Sequence, residues 1–255
     1  MMNFSNKVVL ITGGSRGIGA ATARKVVSSG GMVVIHYRSD KAAANNLVAE
    51  LGSDNCYLVR MDLDTPGAAN IIWQDALVWK DKIDVVVNNA GIFLDENREG
   101  SNENWQKLWL QTLQVNLISA ADLCREAINY WQRAQVSGAI INVASRAAFR
   151  GDDPDHWAYA ASKGGLVSLT KTLARAYSGQ GIYTYCVAPG FVMTDMAESA
   201  FDQDPTLRDR LIQDIPHGDI APADQVANAI CFLASGLATH ATGQTLDING
   251  ASYVR

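Results

Sequence analysis

Lys7-Val8-Val9-Leu10-Ile11-Thr12-Gly13-Gly14-Ser15-Arg16-Gly17-Ile18-Gly19 is the stretch on which the fold turns. The run Lys7–Thr12 is short, apolar and β-branched, and it stops at glycine, so it reads as a buried strand. Ala20–Ser29 follows in a helix-favouring composition, and Gly30-Gly31 ends that helix. Glycines between a strand and a helix let the backbone turn tightly and approach a ligand closely. The helix N-terminus adds free N–H groups and the positive end of a dipole, which suits a pyrophosphate. A plain strand-to-helix turn needs one glycine, not Gly13, Gly17 and Gly19 together, so cofactor binding is the better reading.

Outward from this loop the pattern repeats. Met32–Tyr37 reads as a strand, Lys41–Leu51 as a helix stopping at Gly52, and Cys56–Arg60 as a third strand. Pro66–Lys80 reads as a helix with proline near its start, and Val85–Asn88 as a fourth strand. Asn102–Arg133 is a long helical region, kinked or divided. Ala139–Val143 is a strand, Tyr159–Tyr177 a helix, Ile182–Ala188 a strand, Ala223–Ala234 a helix and Thr245–Ile248 a last strand. Unbroken alternation of this kind predicts an α/β fold, a doubly wound parallel sheet of the Rossmann type with right-handed crossovers. No linker or repeat interrupts it, so residues 1–255 are expected to form a single domain. The long unpatterned segment Phe191–Ala221 is either a lid or a surface excursion.

Bulk composition excludes several functions. Of 255 residues, 48% are hydrophobic and 18% charged, enough for a sizeable core, and the net charge is −5. No basic stripe appears, which argues against nucleic acid as a partner. No apolar run approaches the ~20 residues of a membrane span. The N-terminus lacks the long apolar region of a signal peptide, so a cytoplasmic location is expected. Cys56, Cys124, Cys186 and Cys231 are widely spaced and read as small buried hydrophobes. His36, His156, His217 and His240 show no ligand spacing, so no metal is expected.

Tyr159-Ala160-Ala161-Ser162-Lys163 carries the chemistry. Residues four apart on a helix share a face. A free tyrosine titrates near ~10, and a cation within ~4–6 Å favours the phenolate. The pair therefore reads as an acid/base tuned towards working pH.

The spacing Gly13-x-x-x-Gly17-x-Gly19 together with Tyr159-x-x-x-Lys163 resembles the short-chain dehydrogenase/reductase (SDR) family, and the resemblance covers nearly the whole chain. Asn88-Asn89-Ala90-Gly91 looks like the family motif after the fourth strand. Asn116 looks like its helix asparagine, Ser145 like its catalytic serine, and Pro189-Gly190-Phe191-Val192-x-Thr194 like the motif at the nicotinamide end of the cofactor. The nearest branch is the 3-oxoacyl-acyl-carrier-protein reductase type.

The resemblance implies an oxidoreductase acting between a carbonyl and an alcohol with a nicotinamide cofactor. Catalytic residues would be Asn116, Ser145, Tyr159 and Lys163. Cofactor contacts would come from Gly13, Ser15, Arg16, Gly17, Ile18, Gly19, Tyr37, Arg38, Asp62, Asn89, Ala90, Gly91, Tyr159, Lys163, Pro189, Gly190, Val192 and Thr194. Tyr37 stands where an NAD-preferring relative carries Asp, and Arg38 and Arg16 are nearby cations that suit a 2′-phosphate, so NADP(H) is preferred and NAD(H) remains possible.

The gap from Ser145 to Tyr159 is slightly longer than the family pattern. Its loop, residues 146–158, holds three acids, two arginines, His156 and Trp157, which either contact a polar substrate or present solvated charge. Trp105, Trp109 and Leu113 recur at helix spacing and read as a packing seam. By resemblance the assembly is a homotetramer. A small-molecule carbonyl or alcohol is the expected partner. A sugar or polyol dehydrogenase is the alternative, and a non-catalytic NADP-sensing regulator is the alternative of another class.

Overall fold

The computed structural model describes residues 2–194, 201 and 205–255. Seven parallel strands form the central sheet: β1 (Val8–Ile11), β2 (Met32–Tyr37), β3 (Cys56–Arg60), β4 (Val85–Asn88), β5 (Gly138–Val143), β6 (Ile182–Pro189) and β9 (Thr245–Ile248). Their order is β3-β2-β1-β4-β5-β6-β9. The expected doubly wound parallel sheet is what the chain forms.

β1 is apolar without alternation because both its faces are covered. Val9 and Ile11 pack with Ala20, Ala23 and Val26 of α1 (Gly17–Ser28), Leu47 of α2 (Lys41–Leu51), and Val226 and Ile230 of α9 (Ala223–Ala234). Val8 and Leu10 pack on the other face with Ile72 and Trp73 of α3 (Ala68–Lys80) and with Leu123, Ile128 and Trp131 of α5 (Ser119–Ala134). Fully burying a side chain of this size stabilises by roughly 1.5–3 kcal/mol.

The long helical region divides as expected. α4 (Asn102–Leu113) starts at Ser101, whose hydroxyl accepts from the Asn104 N–H at 3.2 Å, and runs through one π-helical stretch, Gln114–Ile118, into α5. A short helix, α6 (Ala147–Arg150), interrupts the 146–158 loop, and α7 (Trp157–Tyr177) follows. α7 is placed by a buried ladder. Asn88 of β4 donates to Asn142 of β5 at 2.8 Å, and Asn142 donates to Thr170 of α7 at 2.9 Å.

Of the unpatterned segment, the described part contains α8 (Pro205–Gln213) and the strand pair β7 (Val192–Met193) and β8 (Ala221–Pro222). Residues 195–200 and 202–204 of that segment lie outside the described residues, so the lid reading falls partly there. Among the described residues no helix is long and apolar enough to cross a membrane.

Candidate active site

The strand order reverses direction between β1 and β4, and in such sheets a crevice opens beyond the carboxyl ends of the two strands. The glycine loop leaves β1 there, and Asn89-Ala90-Gly91 leaves β4. A cleft of ≈ 270 Å³ lies between them. Gly13, Ser15, Arg16, Gly17, Ile18, Tyr37, Arg38, Asp62, Asn89, Ala90, Gly91 and Thr194 all line it. Gly19 lies behind the loop, where a Cβ would stand 2.3 Å from the Gly13 carbonyl oxygen. Gly13 and Gly17 adopt φ of 61° and 51°, the left-handed region that other residues rarely occupy. Thr194 crosses over Gly17, its methyl 3.1 Å from where a Cβ would be.

Three side chains hold this loop. Thr12 Oγ1 accepts from the Asn89 and Ala90 N–H groups, each at 3.0 Å. The Asn89 amide donates to the Thr12 and Gly13 carbonyls at 2.9 and 3.1 Å. His36, buried at the end of β2, accepts from the Gly13 N–H at Nδ1 (3.1 Å) and donates from Nε2 to the Met61 carbonyl (3.0 Å). The two neighbours assign that neutral tautomer, and burial pushes the imidazole pKa down, which agrees. Sequence reading gave His36 no role. Its signal was a histidine inside an otherwise apolar strand.

At the β2 end of the cleft, Arg16 and Arg38 are exposed, and Arg60 joins them, donating from Nε to the Arg38 carbonyl at 3.3 Å. None of the three forms an ion pair among the described residues. The nearest acid in sequence, Asp40, is engaged as the N-cap of α2, accepting from the Ala43 N–H at 2.9 Å.

The other end of the cleft reaches the remaining predicted residues. A Cβ on Gly91 would sit 3.3 Å from Lys163 Nζ and 3.4 Å from Asn116 Oδ1. Asn116 occupies the π-helical stretch, a feature that often marks functional positions. It accepts from the Ile92 N–H (2.8 Å) and donates to the Ile92 carbonyl (2.9 Å) and to Ser162 Oγ (3.2 Å). Lys163 is buried and donates to the Val143 carbonyl at 2.9 Å. Its ammonium lies 5.6 Å from the Tyr159 ring centroid. Ser145 follows β5 and accepts from the Ala147 N–H at 3.1 Å, and its hydroxyl favours the Tyr159 phenolate. Pro189 ends β6, and Gly190 packs against Asn249, so this corner and Val192 sit beside Thr194 rather than in the cleft wall.

The titration of the pair departs from the sequence expectation. Lys163 was expected to draw the Tyr159 pKa down. Burial instead pushes the phenol up to about 12, with the Ser145 hydrogen bond opposing and the Asp152 charge adding to the rise. Burial also pushes Lys163 down to about 8. The ammonium is tied to Val143 and lies over the ring, and the loss of water outweighs its attraction for a phenolate.

The start of α7 is clamped by a segment that sequence reading passed over. Glu96, fully buried, accepts the Ala158 N–H at 2.8 Å and so caps the helix from afar. Burial pushes the Glu96 carboxyl up. Phe93 stacks on His156 at 3.7 Å and meets the Tyr159 ring edge-on at 4.8 Å. Trp157, half exposed, packs edge-on against Trp105 at 5.4 Å, and Trp105 tilts against Trp109 at 6.0 Å.

Residues 13–251 match a family model described as enoyl-(acyl carrier protein) reductase. The 3-oxoacyl-[acyl-carrier-protein] reductase FabG of Staphylococcus epidermidis is 32% identical, covering 98% of this chain and 100% of its own length. The enzyme of the same name from Chlamydia trachomatis is 33% identical, over 96% of each chain. That from Escherichia coli is 31% identical, over 99% and 100%. Among solved structures, a short-chain dehydrogenase/reductase described as a glucose/ribitol dehydrogenase, from Brucella melitensis, superimposes with a TM-score of 0.87 at 27% identity, covering 100% of this chain and 99% of its own.

Proposed function

The chain belongs to the short-chain dehydrogenase/reductase family and is an oxidoreductase acting on CH–OH groups, and we propose that it is an NADP(H)-dependent carbonyl reductase of the 3-oxoacyl-acyl-carrier-protein reductase type. One observation carries the reading: at Gly91 the glycine-loop cleft meets Lys163 and Asn116, so a ligand lying along it ends beside Tyr159.

The cradle fits a dinucleotide. Gly19 leaves no room for a side chain behind the loop, and the N-terminus of α1 has no side-chain cap, so its N–H groups are free for a pyrophosphate. Arg16 and Arg38, with Arg60 beside them, would take the 2′-phosphate, and Asp62 would take the adenine. Lys163 would hold the nicotinamide ribose, with Asn89, Ala90, Gly91, Pro189, Gly190, Val192 and Thr194 around the ring end. The bound cofactor supplies or accepts the hydride.

Tyr159 gives its proton to the substrate oxygen during reduction and takes it back in the reverse direction. A phenol held up near 12 stays protonated at neutral pH, which suits the reductive direction. Ser145 donates to the same oxygen, where charge develops. Lys163, held down near 8, is poised to pass a proton on, with Asn116 ordering the route to solvent. The whole of 1–255 acts as one nucleotide-binding domain, in a homotetramer.

A kinetic screen of acyl thioester ketones, sugars and cyclic ketones with NADPH and NADH tests this. Turnover is expected with the thioester ketones and NADPH. Turnover confined to sugars would favour the second reading, a sugar or polyol dehydrogenase, to which the name of the Brucella melitensis structure points. Tight NADPH binding with no turnover of any class would favour a regulatory protein.

A further inference from the structure

We propose that Asp152, Asp153 and His156 bind a divalent transition-metal ion, Zn2+ in the first instance, on the loop beside Tyr159. One donor atom from each of the three lies within 4.8 Å of the other two. The loop turn that groups them is closed by the His156 N–H, which donates to the Asp153 carbonyl at 3.0 Å.

The imidazole is the independent observation. His156 is 8% exposed, and its Nδ1 is buried without a hydrogen-bond partner among the described residues. Its Nε2 is engaged with Asp95 Oδ1 at 2.9 Å. The Asp95 carboxylate on Nε2 orients the ring and assigns the N–H to that nitrogen, which leaves the lone pair on Nδ1. This is the usual outer arrangement of a metal-ligating histidine. Phe93, stacked at 3.7 Å, stops the ring from turning away.

Charge points the same way. Two carboxylates within 4.8 Å of each other repel. Arg146 feels Asp152 and Asp153, yet among the described residues neither Arg146 nor Arg150 pairs with them within 4.0 Å. One imidazole and two carboxylates make a mixed nitrogen and oxygen set, which suits Zn2+ better than Mg2+. Neighbouring donors around Zn2+ stand roughly 3.0–3.5 Å apart, given bonds of about 2.0–2.2 Å. Asp153 is exposed and can rotate to close that distance.

The test is calorimetric titration of Zn2+ into the tag-free, chelator-treated full chain, with Mg2+ as the comparator. We expect one Zn2+ per chain, and visible d–d bands when Co2+ replaces it. The Asp152→Asn/Asp153→Asn double variant and His156→Gln should each weaken Zn2+ at least tenfold. Asp95→Asn should weaken it by roughly 10-fold through the ring it holds. Because His156 is buried, circular dichroism checks that His156→Gln folds. Exposed Asp153→Asn alone, expected to weaken Zn2+ several-fold, keeps the test open if it does not. Absence of saturable Zn2+ binding to the unmodified chain, or unchanged affinity in the double variant, overturns the proposal.

Discussion

Around the glycine loop, His36 commits both ring nitrogens and Asn89 donates from its amide to two carbonyls, all to backbone groups. Around the 146–158 loop, Arg146 Nη1, His156 Nδ1 and Glu96 Oε2 are buried with no partner among the described residues. The glycine loop itself is held by these side chains before any ligand arrives, so binding there need not reshape it. The second keeps polar atoms whose desolvation is uncompensated until something meets them. The contrast separates a loop whose polar groups are already paired from one whose polar groups are not. Tyr159 stands between the two, its titration affected by Ser145 and by the charge of Asp152.

The largest test of that division is Tyr159→Phe. Loss of a positioned proton donor should lower kcat roughly 10³-fold. NADPH binding, followed by fluorescence titration, should stay within about twofold, because the loop contacts do not pass through the phenol oxygen. Near-normal turnover would remove the proton-transfer role, and lost cofactor binding would show that the two regions are not separable.

Next in size is Gly19→Ala. Its Cβ would stand 2.3 Å from the Gly13 carbonyl oxygen, so the loop must shift. Overpacking of this kind costs about 1–3 kcal/mol. It should appear as a Tm lowered by several degrees, together with NADPH binding weakened roughly tenfold or more. Gly151→Ala is the matched comparison on the substrate side. Its φ of 80° also strains alanine, but nothing lies within 4 Å of the new Cβ. It should lower Tm slightly and leave NADPH affinity unchanged. Equal effects from the two would erase the contrast between the regions.

Arg38→Asp comes third. The arginine is exposed and forms no ion pair among the described residues, so its loss does not strain the fold. A carboxylate facing a 2′-phosphate should weaken NADPH roughly 10–100-fold while leaving NADH within about threefold. Parallel loss of both cofactors would place Arg38 outside the phosphate site.

The same contrast explains what the sequence made legible. Lys41–Leu51, Cys56–Arg60 and Val85–Asn88 fall where expected because their signals are local: an acidic N-cap, a terminal glycine, a β-branched run. α1 starts at Gly17 rather than Ala20, since glycine is a poor helix former that the loop nevertheless requires. α7 starts at Trp157 rather than Tyr159, because Glu96 caps it from a distant segment. α3 starts at Ala68, with Pro66 outside it. Gly13, Gly17, Ser145, Tyr159 and Lys163 stand in short motifs, so they could be picked out. His36, Glu96, Asn142 and Thr170 act through partners far away in the chain, and no spacing reveals them. The grouping of Asp152, Asp153 and His156 escaped for another reason. The spacing of histidines and cysteines carries no sign of it, and the one histidine here becomes a ligand candidate only through Asp95 on its far nitrogen.

The smallest expected effect links the two regions most directly. The Asp152 carboxylate helps to hold the Tyr159 phenol up, because a nearby negative charge disfavours the phenolate. Asp152→Asn removes that charge, so the phenol pKa falls. Alcohol oxidation needs the phenolate, and its rate rises with pH through this pKa. The rising limb should therefore move to lower pH in the variant, by about half a unit or less, since burial remains the larger cause of the elevation. The assay is the pH profile of kcat for oxidation with NADP+, with a chelator present so that no cation at the loop contributes. A limb that moves to higher pH, or does not move, would show that the substrate-side loop does not act on the reacting tyrosine. A shift in the expected direction makes the loop part of the proton chemistry.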